Sequence, residues 1–238
     1  MTFLYNRILL KLSGELCAGR QGCLDAHAID EVAREIAAVT KSGIRVAAVL
    51  GGGNIMRGRR VKGDREDERA GHQAGMMATV VNGIMLARAL ARHGMKPRLF
   101  SAFEIPGFVG PDDPEEVERA VLSGSKSVLL FVGGTGVPFK STDSATVMKA
   151  IAVGAQAIFK VTTHVDGVYD KDPQRFKGAK KYSTLAYDEA LRRKLEVMDL
   201  AAFAQARDAH IPIHVFKWGK GRILRVLRGE RVGSTVKG

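Results

Sequence analysis

The chain has 238 residues, of which 45% are hydrophobic and 26% are charged. This is the composition of an ordinary folded protein and excludes a disordered or fibrous one. Its formal charge of +12 is compatible with nucleic acid, a membrane surface or small polyanions such as nucleotides, and charge alone does not choose among them. The two cysteines, Cys17 and Cys23, predict a reduced cytoplasmic protein without a disulfide framework. Because its apolar runs are far shorter than the roughly 20 residues of a membrane span, we expect no membrane anchor.

Predicted strands and helices alternate along the chain. A strand at 5–12, a helix at 25–41 and a strand at 44–50 form the right-handed unit of a parallel sheet. The later predicted helices are 76–93, 111–122, 143–154 and 196–209, and the later strands are 96–101, 127–132, 157–161, 212–216 and 235–237. This order predicts one three-layer α/β/α domain over residues 1–238 with a mainly parallel sheet.

Two glycine-rich turns follow predicted strands, at 51–54 (GGGN) and at 133–136 (GGTG). Glycines let consecutive backbone N–H groups approach an anion, and open parallel sheets bind ligands where their strands end. Neither turn fits the P-loop or the dinucleotide pattern. We predict that these turns bind phosphate, with tight structural turns as the alternative.

Lys11 lies in an otherwise apolar strand, two residues before Ser13. A buried lysine is costly without a partner, so its side chain either reaches solvent at the strand end or meets an anion. Asp143 and Asp199, taken singly, are as well explained as structural residues of helices. Together with the glycine turns, however, one lysine and two carboxylates are what phosphoryl transfer requires, because its catalysis consists mostly of positioning and charge stabilisation.

Six sequence blocks, in order, resemble those of the bacterial uridylate (UMP) kinases in the amino-acid-kinase superfamily, and the resemblance covers practically the whole chain. The blocks are KLSGE at 11–15, GGGN with Arg57-Gly58 at 51–58, MATVVNG at 77–83, GTG with TDS at 134–144, VDGVYDKDP at 165–173 and VMDLAAF at 197–203. The resemblance implies transfer of the γ-phosphate of ATP, with Mg²⁺, to UMP in pyrimidine nucleotide biosynthesis. It also implies a homohexamer regulated by GTP and UTP.

The resemblance further implies roles for individual residues. The N-terminal half would form mainly the acceptor side and the C-terminal half mainly the ATP side, with Mg²⁺ arriving with ATP at no fixed protein site. The implied catalytic residues are Lys11, which would stabilise the moving phosphoryl group, and Asp143 and Asp199, which would position lysine and metal. The implied ATP-binding residues are Lys11, Leu12, Ser13, Gly14, Gly53, Arg57, Thr162, Thr163, Tyr169 and Asp172. The implied UMP-binding residues are Gly52, His72, Thr135, Gly136, Val137, Pro138, Phe139, Lys140, Ser141 and Thr142.

Three departures from the family pattern cluster on the acceptor side. His72 stands where the family has an acid for the ribose hydroxyls, Val137 replaces an asparagine, and Lys140 replaces an aromatic residue. One residue is also inserted at 162–164. These departures keep two alternatives open: a kinase of the same fold with another small acceptor, and a module that binds nucleotides or anions without turnover.

Two charged segments carry weaker predictions. Segment 57–69 has six basic and four acidic residues, which is typical of a mobile charged lid over a phosphate site or of a solvated loop. The C-terminal segment 217–238 is basic, but Trp218 is its only aromatic residue. A nucleic-acid-binding surface, which would interleave basic and aromatic side chains, is therefore not indicated.

Overall fold

The computed structural model describes residues 2–20, 22–123, 126–195 and 198–238. Its strands are β1 (Arg7–Leu12), β2 (Arg45–Leu50), β3 (Lys96–Ser101), β4 (Gly110–Pro111), β5 (Ser127–Val132), β6 (Ala157–Thr162), β7 (Val168–Tyr169), β8 (Lys181–Tyr182), β9 (Thr184–Ala186), β10 (Ile213–Lys217) and β11 (Ser234–Lys237). Its helices are α1 (Ala26–Lys41), α2 (Arg65–Arg92), α3 (Pro114–Leu122), α4 (Thr142–Ala152), α5 (Tyr187–Arg192), α6 (Leu200–Asp208) and α7 (Arg222–Leu227). Two short 3₁₀ turns cover Gly14–Cys17 and Gly58–Arg60.

Nine strands form one sheet in the order β4-β3-β5-β2-β1-β6-β10-β11-β9. Strand β1 is central and pairs in parallel with β2 on one side and β6 on the other. Within the described part of the chain, the antiparallel pair in this sheet is β10 with β11, and β7 and β8 form a separate antiparallel ribbon. The predicted mainly parallel sheet is therefore confirmed, and the loops after β2, β1 and β6 emerge side by side.

Two apolar cores cover the two faces of the sheet. Residues of α1, α2 and α7 pack on one face, and residues of α3, α4, α5 and α6 pack on the other. The alternation of β1 illustrates the division, because Ile8 and Leu10 belong to the first core and Leu9 to the second. Each such fully buried side chain contributes about 1.5–3 kcal/mol. These two cores make the three α/β/α layers that the sequence predicts.

Helix α2 begins much earlier than the sequence predicts, at Arg65 rather than at residue 76. Asp64 and Asp67 form a capping box, and the first turn carries acidic residues that the helix dipole favours. The prediction that segment 57–69 is a loop is therefore wrong from Arg65 onward. The mixed charges that suggested a solvated loop belong instead to a well-capped helix start.

The other differences concern short elements and helix ends. Helix α6 begins after its N-cap, Asp199, rather than at residue 196, and residues 196 and 197 lie outside the described part of the chain. The unpredicted elements are β4, β7, β8, β9, α5 and α7, each of which has six residues or fewer. Elements this short show no reliable hydrophobic period.

One helix of the described chain, α2, is long and apolar enough to cross a membrane by length and composition alone, with an 18-residue window of mean hydropathy 1.4. Polar residues such as Asn82 interrupt the apolar residues of this helix, so the length of uninterrupted apolar runs does not reveal it. In the fold, 44% of that window is buried, and α2 packs in the core beside α1. Since the core helix of a globular protein passes the same test, this feature is weak evidence for a membrane span.

His214 is a buried histidine of β10, the strand that lies between β6 and β11. Its Nε2 lies 3.0 Å from the Tyr5 hydroxyl and its Nδ1 lies 3.1 Å from Thr235 Oγ1, and its ring packs against Phe159. Burial, with a smaller effect of the charge on Lys237, lowers the pKa of His214 to about 4. The folded protein therefore holds this ring neutral at neutral pH.

We expect His214 to make the fold less stable as pH falls from about 6.5 to about 4, because over that range the unfolded chain binds a proton that the folded protein excludes. One such group changes the free energy of unfolding by at most about 1.4 kcal/mol per pH unit. Urea unfolding of the unaltered protein and of His214→Gln at pH 7, 6 and 5 measures the difference. The exposed His27→Gln is the matched control, and identical pH slopes for the unaltered protein and His214→Gln would contradict the assignment.

Candidate active site

The turn after β1 meets the glycine turn at 51–54 where β1 and β2 end. Strand β1 runs into Ser13 and Gly14, and β2 runs into Gly51, Gly52 and Gly53. A Cβ atom placed on Gly14 would lie only 2.7 Å from the Gly51 oxygen and 2.8 Å from the Gly53 nitrogen. A larger residue would separate the two turns. Glycine therefore lets the backbones of both turns lie side by side, as an anion site requires.

A carboxylate and two lysines lie beside these turns. Asp143, in the first turn of α4, accepts hydrogen bonds from Lys160 Nζ at 2.8 Å on both of its oxygens. Lys11 Nζ lies 3.7 Å from the same carboxylate. The register explains the meeting, since Lys11 of β1 pairs directly with Lys160 of β6. Two lysines on neighbouring strands thus share one aspartate.

Burial alone would raise the pKa of Asp143, but the charges of Lys160 and Lys11 and the hydrogen bonds to Lys160 lower it overall. Burial lowers the pKa of Lys160 to about 8, against the opposing effect of Asp143. At neutral pH the ammonium form of Lys160 therefore still predominates. The cluster of Lys11, Asp143 and Lys160, called the lysine cluster below, carries one net positive charge and can hold an anion.

Asp199 holds the start of α4 in place. Its Oδ1 caps α6 by accepting from the Ala202 N–H at 2.7 Å, and its Oδ2 accepts hydrogen bonds from Ser141 and, at 3.4 Å, from Ser144. Ser141 in turn caps α4 by accepting from the Asp143 N–H at 3.0 Å. The predicted residues Asp143 and Asp199 are therefore linked through Ser141.

Helix α2 holds both glycine turns of the sequence, at 51–54 and at 133–136. Gly52 packs against it so closely that a Cβ would lie 2.6 Å from the Gly75 oxygen. Asn82 donates from Nδ2 to the Gly51 oxygen at 2.8 Å, and the Thr79 hydroxyl accepts from the Gly133 N–H at 2.7 Å. Both polar side chains are buried. Their hydrogen bonds therefore tie α2 to the turn at 51–54 and to the turn at 133–136.

The segment 133–142 between β5 and α4 contains most of the predicted UMP-binding residues. Phe139 lies at φ 67°, and its ring centroid lies 4.8 Å from that of His72 on α2. Thr135 Oγ1 accepts from the Val137 N–H at 3.3 Å. The other predicted residues of this segment are Gly136, Pro138, Lys140, Ser141 and Thr142. A cavity of about 380 Å³ opens beside Gly134 and Thr135, but its other lining residues lie at 101–104, at 111–114 and on α4, so it is not the space between His72 and Phe139.

The predicted ATP-binding residues near the turns are held by contacts within and between the loops that follow β1, β2 and β6. Leu12 is buried at the end of β1, and Arg57 donates from Nε to the Gly53 oxygen at 3.3 Å and forms an ion pair with Glu15. The Thr163 hydroxyl also donates to Glu15, at 2.6 Å. Thr162, in contrast, uses its hydroxyl on the Val165 carbonyl. Its side chain therefore fixes the turn after β6.

Tyr169 and Asp172 lie on the segment that contains the β7–β8 ribbon. The Tyr169 hydroxyl donates to Asp166, and Asp172 Oδ1 accepts from the Gln174 N–H at 2.9 Å. These contacts are local to the ribbon segment. They do not join the two residues to the lysine cluster.

Sequence reasoning missed two residues at the site, Lys160 and Glu15. The signal for Lys160 was present, because it is a lysine within an apolar strand, the criterion that identified Lys11. Glu15 offered no such signal, since its partners come from loops that are distant in sequence.

Residues 6–217 match the amino acid kinase family, and the chain belongs to that family. The uridylate kinase of Haemophilus ducreyi is 43% identical over 235 residues, which cover 98% of each chain, and that of Acinetobacter baylyi is 42% identical over 98% of this chain and 96% of its own. Among solved structures, UMP kinase from Bacillus anthracis superposes with a TM-score of 0.91 at 32% identity, covering 98% of this chain and 96% of its own. UMP kinase from Ureaplasma parvum gives 0.88 at 31%, covering 98% and 99%.

We expect Asp143→Asn to destabilise the fold by about 3 kcal/mol, because it leaves Lys160 buried without its counter-charge. Adding Lys160→Met removes that uncompensated charge, so the double variant should recover much of the loss. Urea unfolding at pH 7 measures all three proteins. Equal stability of the single and double variants would contradict the charge balance that we assign to the cluster.

Proposed function

We propose that this chain is a UMP kinase, which transfers the γ-phosphate of ATP to UMP and gives UDP and ADP. The observation that supports this most strongly is the position of the lysine cluster. It lies at the ends of the central parallel strands, where the turn after β1 packs against the glycine turn at 51–54. Phosphoryl transfer needs cations and N–H groups around the moving phosphate more than it needs a reactive side chain. The full-length similarity to uridylate kinases assigns the nucleotides.

In the transfer, an oxygen of the UMP phosphate forms a bond to the γ-phosphorus while the bond from that phosphorus to the bridging oxygen of ADP breaks. Lys11 and Lys160 stabilise the charge on the transferred group, together with N–H groups of the turns at Gly14 and Gly53. Asp143 keeps the two lysines apart and oriented. A phosphate monoester is largely dianionic at neutral pH, so no general base and no covalent intermediate are needed.

The donor nucleotide binds along β1 and β6. Its phosphates lie at Lys11, Ser13, Gly14, Gly53 and Arg57, and its adenosine lies toward the segment after β6 that carries Thr162, Thr163, Tyr169 and Asp172. Mg²⁺ enters as part of the substrate, bound to the ATP phosphates. The described chain has no group of three or more His, Cys, Asp or Glu side chains that could hold a metal ion, and the oxygens of Asp143 and Asp199 already accept hydrogen bonds.

The acceptor binds between α2 and the segment 133–142. Gly52 and the residues from Thr135 to Thr142 surround UMP, and His72 takes the place of the family's acid. A neutral histidine can bond a ribose hydroxyl, although it lacks the two oxygens of a carboxylate. His72 also contacts Phe139, so the change from an acid to histidine reaches the segment 133–142, and other acceptors therefore belong in the assay.

The proposed reaction and the free cysteines both bear on the pathway and the compartment in which the enzyme works. UDP formation belongs to pyrimidine nucleotide biosynthesis. Cys17 and Cys23 are both free, as suits the reducing cytoplasm. Regulation by GTP and UTP rests on the family resemblance and stays a prediction.

The proposed homohexamer has a candidate contact surface on α2. Met77, Val81, Ile84 and Met85 are 38–47% exposed, and their spacing of four, three and one residues places them on one side of the helix. We call these four residues the α2 apolar face. A second copy of the chain would cover it by a self-complementary contact.

We expect selective turnover of UMP in a coupled ADP-release assay with ATP and Mg²⁺ and a panel of UMP, CMP, dUMP, AMP and GMP. Lys11→Ala should lower kcat by about 100-fold or more, because it removes charge stabilisation from the transferred group. Lys41→Ala, an exposed lysine at the end of α1, is the matched control. Selective turnover of another acceptor would establish the altered-acceptor alternative, and nucleotide binding without any turnover would establish the binding module.

We expect Val81→Glu to dissociate the assembly, because it buries a charge in the contact between copies. Light scattering coupled to gel filtration measures the mass, with Leu4→Glu, another exposed apolar position, as the control. An unchanged mass for Val81→Glu would exclude the α2 apolar face as the contact.

A further inference from the structure

Glu15 connects three loops of the candidate site through one carboxylate. It lies in the 3₁₀ turn after β1, and its side chain is only 21% exposed. One oxygen, Oε1, forms the ion pair with Arg57. The other, Oε2, accepts from the Thr163 hydroxyl at 2.6 Å and lies 2.8 Å from His164 Nε2. Each oxygen therefore serves a different loop.

These loops are adjacent because their strands are adjacent. Arg57 follows β2, Glu15 follows β1, and Thr163 and His164 follow β6, in the sheet order β2-β1-β6. Arg57 also donates to the Gly53 oxygen at 3.3 Å. Fixing Arg57 thus fixes the glycine turn at 51–54. The hydrogen bond from Thr163 fixes the turn after β6.

The electrostatics favour an indirect role for Glu15. An arginine remains charged throughout the physiological pH range, and a hydrogen bond between charged groups is about twice as strong as a neutral one. A carboxylate, in contrast, repels phosphate. Glu15 is therefore suited to hold the cationic and hydroxyl groups around the donor phosphates rather than to touch them.

We propose that Glu15 is a positioning residue for ATP, which sets Arg57 and the 163–164 segment before the nucleotide binds. This inference rests on the proposed function, because it takes ATP as the donor. Preorganisation lowers the cost of ordering these groups when ATP binds. On the proposed acceptor side, Asn82 and Thr79 of α2 also hold the glycine turns at 51–54 and 133–136, so losing Glu15 should affect ATP much more than UMP.

The test is Glu15→Gln. An amide is neutral and has one acceptor oxygen instead of two, so Arg57 loses its charge-assisted bond and the Thr163 hydroxyl loses the oxygen to which it donates. We expect the KM for ATP to rise about tenfold and the KM for UMP to stay within twofold, while Glu31→Gln, an exposed acid on α1, changes neither. An unchanged KM for ATP, or an equal rise in both KM values, would overturn the proposal.

Two further measurements make the test independent of turnover and of folding. Calorimetric titration with ADP should show weaker binding to Glu15→Gln, and unchanged ADP affinity would overturn the proposal even if the unaltered protein failed to phosphorylate UMP. If the Gln variant does not fold, Thr163→Val carries the test, since it removes one hydrogen bond. It should raise the KM for ATP about threefold, and no rise would overturn the proposal.

Discussion

The largely buried carboxylate of Asp143 contacts one lysine of each of two central strands, and much of the surrounding structure holds it in that position. Lys160 is almost inaccessible to water, and an ammonium group in that position is stable only with a counter-charge at hydrogen-bond distance. The start of α4 must therefore lie over β1 and β6. Ser141 and Asp199 hold the start of α4 in place. Because Asp199 also caps α6, the position of α6 depends on the same cluster of charges.

Local patterns in the sequence predicted the central layers well. Strand β5 was predicted to the residue because it is a continuous apolar run that ends in a glycine turn. Helix α1 was predicted to within one residue because its apolar residues repeat clearly. The start of α2 was not predicted correctly, because the same charged residues are compatible with a solvated loop and with a capped helix start. Only the capping geometry of Asp64 and Asp67 distinguishes them.

The site was partly predictable for a related reason. Lys11 and the glycine turns are visible as local exceptions within strands or at strand ends. Lys160 is also a lysine within an apolar strand, but no glycine turn follows its strand. The sequence pattern therefore did not single it out. The contacts of Glu15 and the hydrogen bonds of Thr79 and Asn82 depend on the register of strands and the placement of α2. Those are properties of the assembled sheet, which no single segment encodes.

The length of α2 has a mechanical consequence. At 1.5 Å per residue its 28 residues extend about 42 Å. This one helix carries His72, the residues Thr79 and Asn82 that bond the turns at 51–54 and 133–136, and the α2 apolar face. A stiff helix transmits a tilt along its whole length. A rotation of α2 by a few degrees would therefore shift both turns together, so the proposed subunit contact and the proposed acceptor site are mechanically coupled.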